Sequence, residues 1–251
     1  MKRYLFWSGG KDSSASIVEC YENGIHLDGV VFCEVMFDHK RNISGENPMH
    51  IRWVYETAIP IVESLGYKVI VLRDESDYIQ EFYHVLKKSK DETRVGKYRG
   101  FFIGGMCVGN DRLKMRPIRN FKKSIGEPFE EIVGIAVDEP KRLARLQENK
   151  RSILAELDIA EEETYGICRP YNLLSPIYDM GGETRNGCWF CPNQSIKAFA
   201  RLQKNYPELW DELKQLSQCD NLVSQNFKWG LTFEEVENKI DELNSQITLF
   251  D

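Results

Sequence analysis

The chain has 251 residues, 29% of them charged, 42% hydrophobic and 12% aromatic. That is enough for one large α/β domain with a modest appendage, and it excludes collagenous, low-complexity and wholly disordered chains. Thirty-three Lys and Arg against thirty-nine Asp and Glu leave a formal charge of −6, so a polyanion has to be met by basic residues gathered locally.

The elements read in chain order as strands alternating with helices. Residues 3–7 are a short apolar run ending in Ser8-Gly9-Gly10-Lys11-Asp12-Ser13-Ser14, after which Ala15–Glu22 reads as a helix. A second strand is expected over 29–37, a helix over 48–65, a third strand over 67–72, helices near 77–89 and 110–123, a strand over 131–137 and a helix over 139–150. This alternation calls for a parallel sheet with right-handed crossovers. Residues 156–193, with Gly166, Pro170, Pro176, Gly181, Gly182, Gly187 and Pro192, read as irregular structure, followed by helices over 194–217 and 231–246. The division expected is a nucleotide-binding α/β part over 1–155 and a cysteine-bearing loop and helical part over 156–251.

No stretch reaches the ~18–20 uninterrupted apolar residues of a membrane helix, and Met1–Trp7 runs into glycines rather than a signal core. The sequence therefore points to a cytoplasmic protein with no membrane partner. There the seven cysteines (Cys20, Cys33, Cys107, Cys168, Cys188, Cys191, Cys219) are packing, metal-binding or catalytic thiols rather than disulfides. Four histidines, His26, His39, His50 and His84, have no mutual spacing that suggests a site, and none is given a role.

A strand that ends in SGGKDSS and opens a helix sets backbone N–H groups around a concavity where the helix dipole favours anions. Gly9 and Gly10 permit close backbone approach, Ser8, Ser13 and Ser14 add hydroxyls, Lys11 neutralises a phosphate, and Asp12 holds Mg²⁺ or orients the loop. The bland reading is a glycine turn capped by Asp12 or Ser13.

Cys188-Trp189-Phe190-Cys191 has the spacing that lets two thiolates bind one metal, with Gly187 and Pro192 shaping the knuckle. A thioredoxin-like redox pair is the rival, but that motif opens a helix directly after a strand. Further ligands have to come from elsewhere, and Cys107 and Cys168 lie in glycine- or proline-containing contexts, whereas Cys20 and Cys33 sit within a helix and a strand.

From Arg112 to Lys123 six basic residues (Arg112, Lys114, Arg116, Arg119, Lys122, Lys123) follow Asp111. They are either a solvated helix face or cations aimed at nucleotide phosphates. Asp138 and Glu139, at the carboxyl end of an expected strand, bind Mg²⁺ or ribose or else cap the next helix, where Arg142 and Arg145 offer a second anion contact.

The SGGKDS loop resembles the pyrophosphatase loop of the PP-loop ATP pyrophosphatase superfamily, the adenine-nucleotide α-hydrolase-like fold. The resemblance sharpens to the phosphoadenosine phosphosulfate reductase family in its broad sense. Its cysteine and basic LK-x-x-P segment match Cys107 to Pro117, its Gly-Ile-x-x-Asp-Glu-x-x-Arg segment matches Gly134 to Arg142, and its Cys-x-x-Cys matches Cys188 and Cys191. Glu46 falls where the family has an acidic loop after a strand, and the ordered matches run from residue 8 to about 210.

The resemblance implies an enzyme that cleaves ATP between the α and β phosphates and adenylates a substrate for sulfur transfer. ATP or a related adenine nucleotide would sit, with Mg²⁺, on residues 8–14, Glu46, Arg112, Lys114, Asp138, Glu139 and Arg142; Lys11, Asp12, Cys188 and Cys191 would act in catalysis. In the branch that reduces adenosine phosphosulfate, and in the related DNA phosphorothioation sulfur-transfer protein, cysteines hold an iron–sulfur cluster. By that resemblance a [4Fe–4S] cluster is expected on Cys107, Cys168, Cys188 and Cys191, with Zn²⁺ on the same thiolates as second choice. Met106 stands before Cys107, where that branch has two adjacent cysteines, and Cys168 is the replacement. The Glu-Cys-Gly motif of true sulfonucleotide reductases is missing, which leaves Cys219 as the sole candidate nucleophile for that alternative. A binding module without turnover is the other. The sulfur acceptor, whether tRNA, DNA or a small molecule, and a homo-oligomeric state stay open.

Overall fold

The computed structural model describes residues 1–105, 107–179 and 187–247. Met106, Gly181, Gly182 and the last four residues lie outside them. Among the described residues nine strands follow in chain order: β1 Lys2–Trp7, β2 Gly29–Glu34, β3 Met36–Asp38, β4 Ile43–Ser44, β5 Val69–Arg73, β6 Phe129–Ile132, β7 Lys150–Arg151, β8 Asn226–Lys228 and β9 Leu231–Thr232. The chain forms two compact units from interleaved pieces. The first comprises Met1–Glu34, Glu46–Arg73 and Lys114–Asn186, so both sides of residue 155 belong to one unit; the second comprises Val35–Gly45, Asp74–Leu113 and Gly187–Asp251.

The first unit is α/β, built on a five-stranded parallel sheet in the order β5-β2-β1-β6-β7. Leu5 of β1 aligns with Val30 of β2 on one side and with Ile132 of β6 on the other. Every residue of β2 is buried, which is why it reads as a continuous apolar run and not as an alternation. Leu5, Trp7, Ile17, Val18, Phe32, Val54, Val62, Ile132 and Leu154 share its core.

Helical structure over residues 48–64 starts where Asn47 accepts hydrogen bonds from the N–H groups of Met49 and His50 at 3.0 and 3.4 Å, with Pro48 in the first turn. It loosens to π-type winding over Val54–Ala58. Pro60, which has no N–H to donate, sits immediately beyond that turn.

The second unit holds two antiparallel pairs, β3 with β4 and β8 with β9, and the helices Ile196–Asn205, Pro207–Ser217 and Phe233–Ile247. Its core is aromatic, with Phe37, Tyr78, Phe82, Phe101, Phe102, Trp189, Phe190, Phe199, Trp210, Phe227 and Phe233 all buried.

Several boundaries differ from the sequence expectation. The run 29–37 divides, because β2 ends at Glu34 and Met36–Asp38 pairs instead with β4. The helix expected over 77–89 stops at Phe82, since Val85 bridges Tyr98 and the N–H of Leu86 donates to the Lys97 carbonyl at 2.9 Å. Only Pro140–Leu143 of 139–150 is helical. The rest yields the edge strand β7, whose pairing is framed by Glu131 N–H donating to Asn149 O and Val133 N–H to Arg151 O. The described residues of 156–193 are less irregular than expected and include the helix Glu163–Cys168. Helix 194–217 breaks at Tyr206 because Pro207 follows. Among the described residues no helix is long and apolar enough to cross a membrane.

Candidate functional site

In the first unit β2 and β6 flank β1 on opposite sides. An open parallel sheet binds ligands beyond the carboxyl end of the strand where its order reverses in this way. Ser8-Gly9-Gly10 leaves β1 at that end and leads into the helix Lys11–Glu22. Gly9 takes φ +74, which a residue with a β-carbon adopts only under strain. The loop is held by its own hydroxyls. Ser8 N–H donates to Ser13 Oγ at 3.2 Å, Gly10 N–H to Ser8 Oγ at 3.3 Å, and Ser13 Oγ to the Gly10 carbonyl at 3.0 Å.

No side chain caps the helix. Tyr178 Oη accepts the Lys11 N–H at 3.2 Å, and helix geometry leaves the next two N–H groups, of Asp12 and Ser13, without intrahelical acceptors. Ser14 is used differently from the expectation: it is fully buried and accepts the indole N–H of Trp7 at 2.9 Å. Gly134 passes so close that a β-carbon there would lie 2.5 Å from Ser13 N.

Lys11 is 5% exposed. Its ammonium donates to Asp12 at 2.6 Å and to Glu161 at 2.8 Å, and lies 5.3 Å from the centre of the Tyr165 ring. Burial opposes its charge, but the bonds to Asp12 and Glu161 outweigh that and raise its pKa. Asp12 accepts from Thr164 as well, so it orients Lys11 instead of standing open to a cation.

Sequence reasoning gave His50 no part, yet it underlies the loop. It is fully buried, with Nδ1 2.8 Å from Ser175 Oγ. Nε2 has no partner in hydrogen-bonding geometry, although the nearby Ser8 carbonyl raises its basicity somewhat. Burial dominates, with Lys114 adding repulsion, and lowers its pKa to about 3, so the ring is neutral. Tyr178 and Glu161, also missed, reach the loop from more than a hundred residues away, with no local signal.

The remaining expected nucleotide contacts are dispersed. Asp138 accepts the Glu161 N–H at 3.0 Å, and Glu139 pairs with Arg142 at 2.6 Å. Glu46 is buried. In the first unit Lys122 pairs with Glu131 at 2.7 Å, and the Lys114 carbonyl accepts the Cys33 thiol at 3.4 Å. In the second unit Arg112 pairs with Glu81 at 3.2 Å.

The thiols fall into two groups. Cys168, in the first unit, is fully buried, donates to the Lys11 carbonyl at 3.3 Å, and has its pKa pushed up to about 12, chiefly by burial. Cys107, Cys188 and Cys191 are partly buried in the second unit. The knuckle turns on Cys191 N–H donating to the Cys188 carbonyl at 3.0 Å. Lys228 clamps it, donating to the carbonyls of Pro192 and Gln194 at 2.9 and 2.7 Å. Trp189 anchors it through its indole N–H to the Ser44 carbonyl at 2.8 Å.

Burial raises the Cys191 thiol while the Asn193 N–H works against that, and Cys107 is close enough to add to the rise. Cys107 accepts the Asn110 N–H at 3.4 Å. Cys20 is buried with its pKa near 12, mainly through desolvation. Among the described residues no group of three or more His, Cys, Asp or Glu is arranged to hold a metal ion.

No protein-family model matches the chain, and no curated protein matches it. Among solved structures it is similar to the U34-tRNA thiolase NcsA from Methanococcus maripaludis with its [4Fe–4S] cluster. The TM-score is 0.41 and the identity 14%, over 88% of this chain and 73% of that one.

Proposed function

We propose that the chain is a PP-loop nucleotide-binding enzyme that uses ATP in sulfur transfer. ATP, accompanied by Mg²⁺, would bind at the loop of residues 8–14; an acceptor oxygen would attack the α-phosphate, pyrophosphate would leave, and sulfur would then displace AMP. The observation that carries this reading is the loop at the reversal point of the parallel sheet. There the helix opens without a side-chain cap and Lys11 is buried in ion pairs with Asp12 and Glu161; its first N–H groups and the ammonium would offset charge developing on the phosphates. Tyr178 fixes the first turn, and Asp12 with Glu161 fixes Lys11.

Cys107, Cys188 and Cys191 are the residues proposed to hold an iron–sulfur cluster, with Zn²⁺ as the alternative. Their chemistry fits: all three are soft donors in one unit, and N–H groups reach the sulfurs of Cys107 and Cys191. Protonated thiols have no reason to converge, and a site of this type closes on binding its metal. Such a cluster, when bound, supplies the handling of sulfur. Cys168 is the fourth ligand implied by the family resemblance; to serve, it would have to leave the Lys11 carbonyl and lose its proton against burial.

Purified protein incubated with ATP, Mg²⁺ and in turn tRNA, DNA or small acceptors should release pyrophosphate, with AMP following once sulfide is added as the sulfur nucleophile, and Lys11→Ala should abolish both. ATP left intact with every acceptor would overturn the reading.

A further inference from the structure

Trp229 stands at the turn between β8 and β9 and is 78% exposed, more than any other described large apolar side chain except Met1. The chain around it is firmly held. Phe227 is fully buried, Lys228 is tied to the carbonyls of Pro192 and Gln194, and Gly230 takes the φ of +71 that the turn needs. The indole sits against Gly104, where a β-carbon would lie 2.6 Å from its Cζ3 and 3.0 Å from its Cε3, so the glycine makes its seat. The ring forms one wall of a cavity of about 770 Å³ within the second unit, inside the roughly 300–1,000 Å³ range of small-ligand sites. Phe101 and Phe102 add apolar surface there, Ser224 and Asn226 polar groups, and Arg94 and Arg99 cations. Arg99 is bound to the Glu81 carboxylate and carbonyl, so it builds the wall. Arg94 is 54% exposed and pairs with Asp91 at 3.1 Å, a surface contact that contributes little in water and that a phosphate can replace.

Arg94 belongs to a basic hairpin. Leu86 N–H donates to the Lys97 carbonyl and Gly96 N–H to the Leu86 carbonyl, both at 2.9 Å, and Arg99 N–H to the His84 carbonyl at 3.0 Å. Tyr98 fastens the hairpin at its base, its N–H donating to the Asn221 carbonyl at 2.8 Å and its carbonyl accepting the Val223 N–H at 2.9 Å. Over residues 84–99 six basic side chains (Lys87, Lys88, Lys90, Arg94, Lys97, Arg99) stand against Asp91 and Glu92, a surplus of four positive charges in a chain whose total is −6. Lys87, Lys88, Lys90 and Arg94 are all exposed.

We infer that this cavity binds single-stranded nucleic acid: an unpaired base stacks on Trp229, and Lys87, Lys88, Lys90 and Arg94 carry the backbone phosphates. An exposed aromatic ring beside a run of cations is the combination that holds a strand through stacking and charge. Other occupants use only part of it. An apolar peptide gains nothing from the lysines, an acidic peptide leaves the indole idle, and a duplex keeps its bases stacked on one another. The inference concerns the second unit alone and stands whether or not the first turns over ATP.

The test titrates the full chain into fluorescein-labelled RNA and DNA of about twelve nucleotides, within the usual span of such sites, each as a single strand and as the matching duplex, and reads anisotropy. A single strand of either kind should bind more tightly than its duplex, with log Kd rising by about 0.7 per decade of salt for each phosphate held. Trp229→Ala should weaken binding about tenfold or more, whereas Trp229→Phe, which keeps a ring, should stay within about threefold of wild type. Changing Lys87, Lys88 and Lys90 together to Gln should lower the salt slope by about 2. These side chains are exposed, so every variant should melt with wild type.

Three results would each overturn the inference: no binding of either strand at low salt, strand and duplex bound equally with Trp229→Ala without effect, or polyglutamate displacing the strand as well as unlabelled strand does. None of them bears on pyrophosphate release by the first unit.

Discussion

The imidazole of His50 fills the space that a β-carbon on Gly9 would need, with Nε2 2.5 Å from that point. The glycine is therefore required twice, by its positive φ and by the ring beneath it. Gly9→Ala should cost about 2–4 kcal/mol, combining the left-handed penalty with overpacking. It should also lower ATP affinity at least tenfold by lifting the loop. Thermal melts and calorimetric titration measure both effects. In the double variant with His50→Ala the collision is gone, so the two losses should sum to less than their separate values.

The same histidine predicts an acid-sensitive fold. An unfolded chain protonates His50 near pH 6.5, whereas the folded one resists until about pH 3. Between those values the unfolded state holds more protons, so stability falls as pH falls, by about 1.4 kcal/mol per unit from this group. Above 6.5 its contribution is complete. Urea unfolding from pH 7 to 4.5 should show this slope, and His50→Gln should flatten it; an unchanged slope would refute the assignment.

Gly134 and Gly166 make a matched pair. A β-carbon at Gly134 would stand 2.5 Å from Ser13 N and 2.7 Å from Asp12 C, both backbone atoms that cannot swing aside, while Gly166 has nothing within 4 Å. Gly134→Ala should lose about 1–3 kcal/mol and weaken nucleotide binding. Gly166→Ala, within a helix, should be neutral or stabilising by up to about 1 kcal/mol. Parallel melts of the two variants check the contrast.

The cysteines separate by metal content. Cys107→Ser, Cys188→Ser and Cys191→Ser should each sharply reduce bound iron after anaerobic reconstitution. Cys168→Ser, whose hydroxyl can still donate to the Lys11 carbonyl, should retain it. Iron lost from C168S to the same extent would restore Cys168 to the ligand set.

What the sequence revealed depended on range. The strand, glycine loop and helix over 3–22 were legible because a short apolar run, glycines and helical spacing are local signals, and the parallel sheet followed from the alternation of strands and helices along the chain. Edge strand β7 was not, since Lys150–Arg151 has no strand-like side chains and is drawn in by backbone pairing with β6. In the site, Lys11 and the knuckle announced themselves by motif. Their supports did not: Glu161, Ser175 and Tyr178 meet residues 125 to 167 positions away.

The interleaved pieces bear on how the protein is made. Residues 35–45 and 74–113 belong to a unit whose remaining part begins at Gly187. At a synthesis rate of roughly 5–20 residues per second, those earlier pieces emerge seconds before the helices that complete their aromatic core. They wait on the ribosome with apolar surface exposed. Cys107 waits with them, separated from Cys188 and Cys191 until those are made, so a metal held as proposed by the three would be loaded only late in synthesis. A truncation at residue 186 should for the same reason yield an insoluble fragment instead of a smaller working protein.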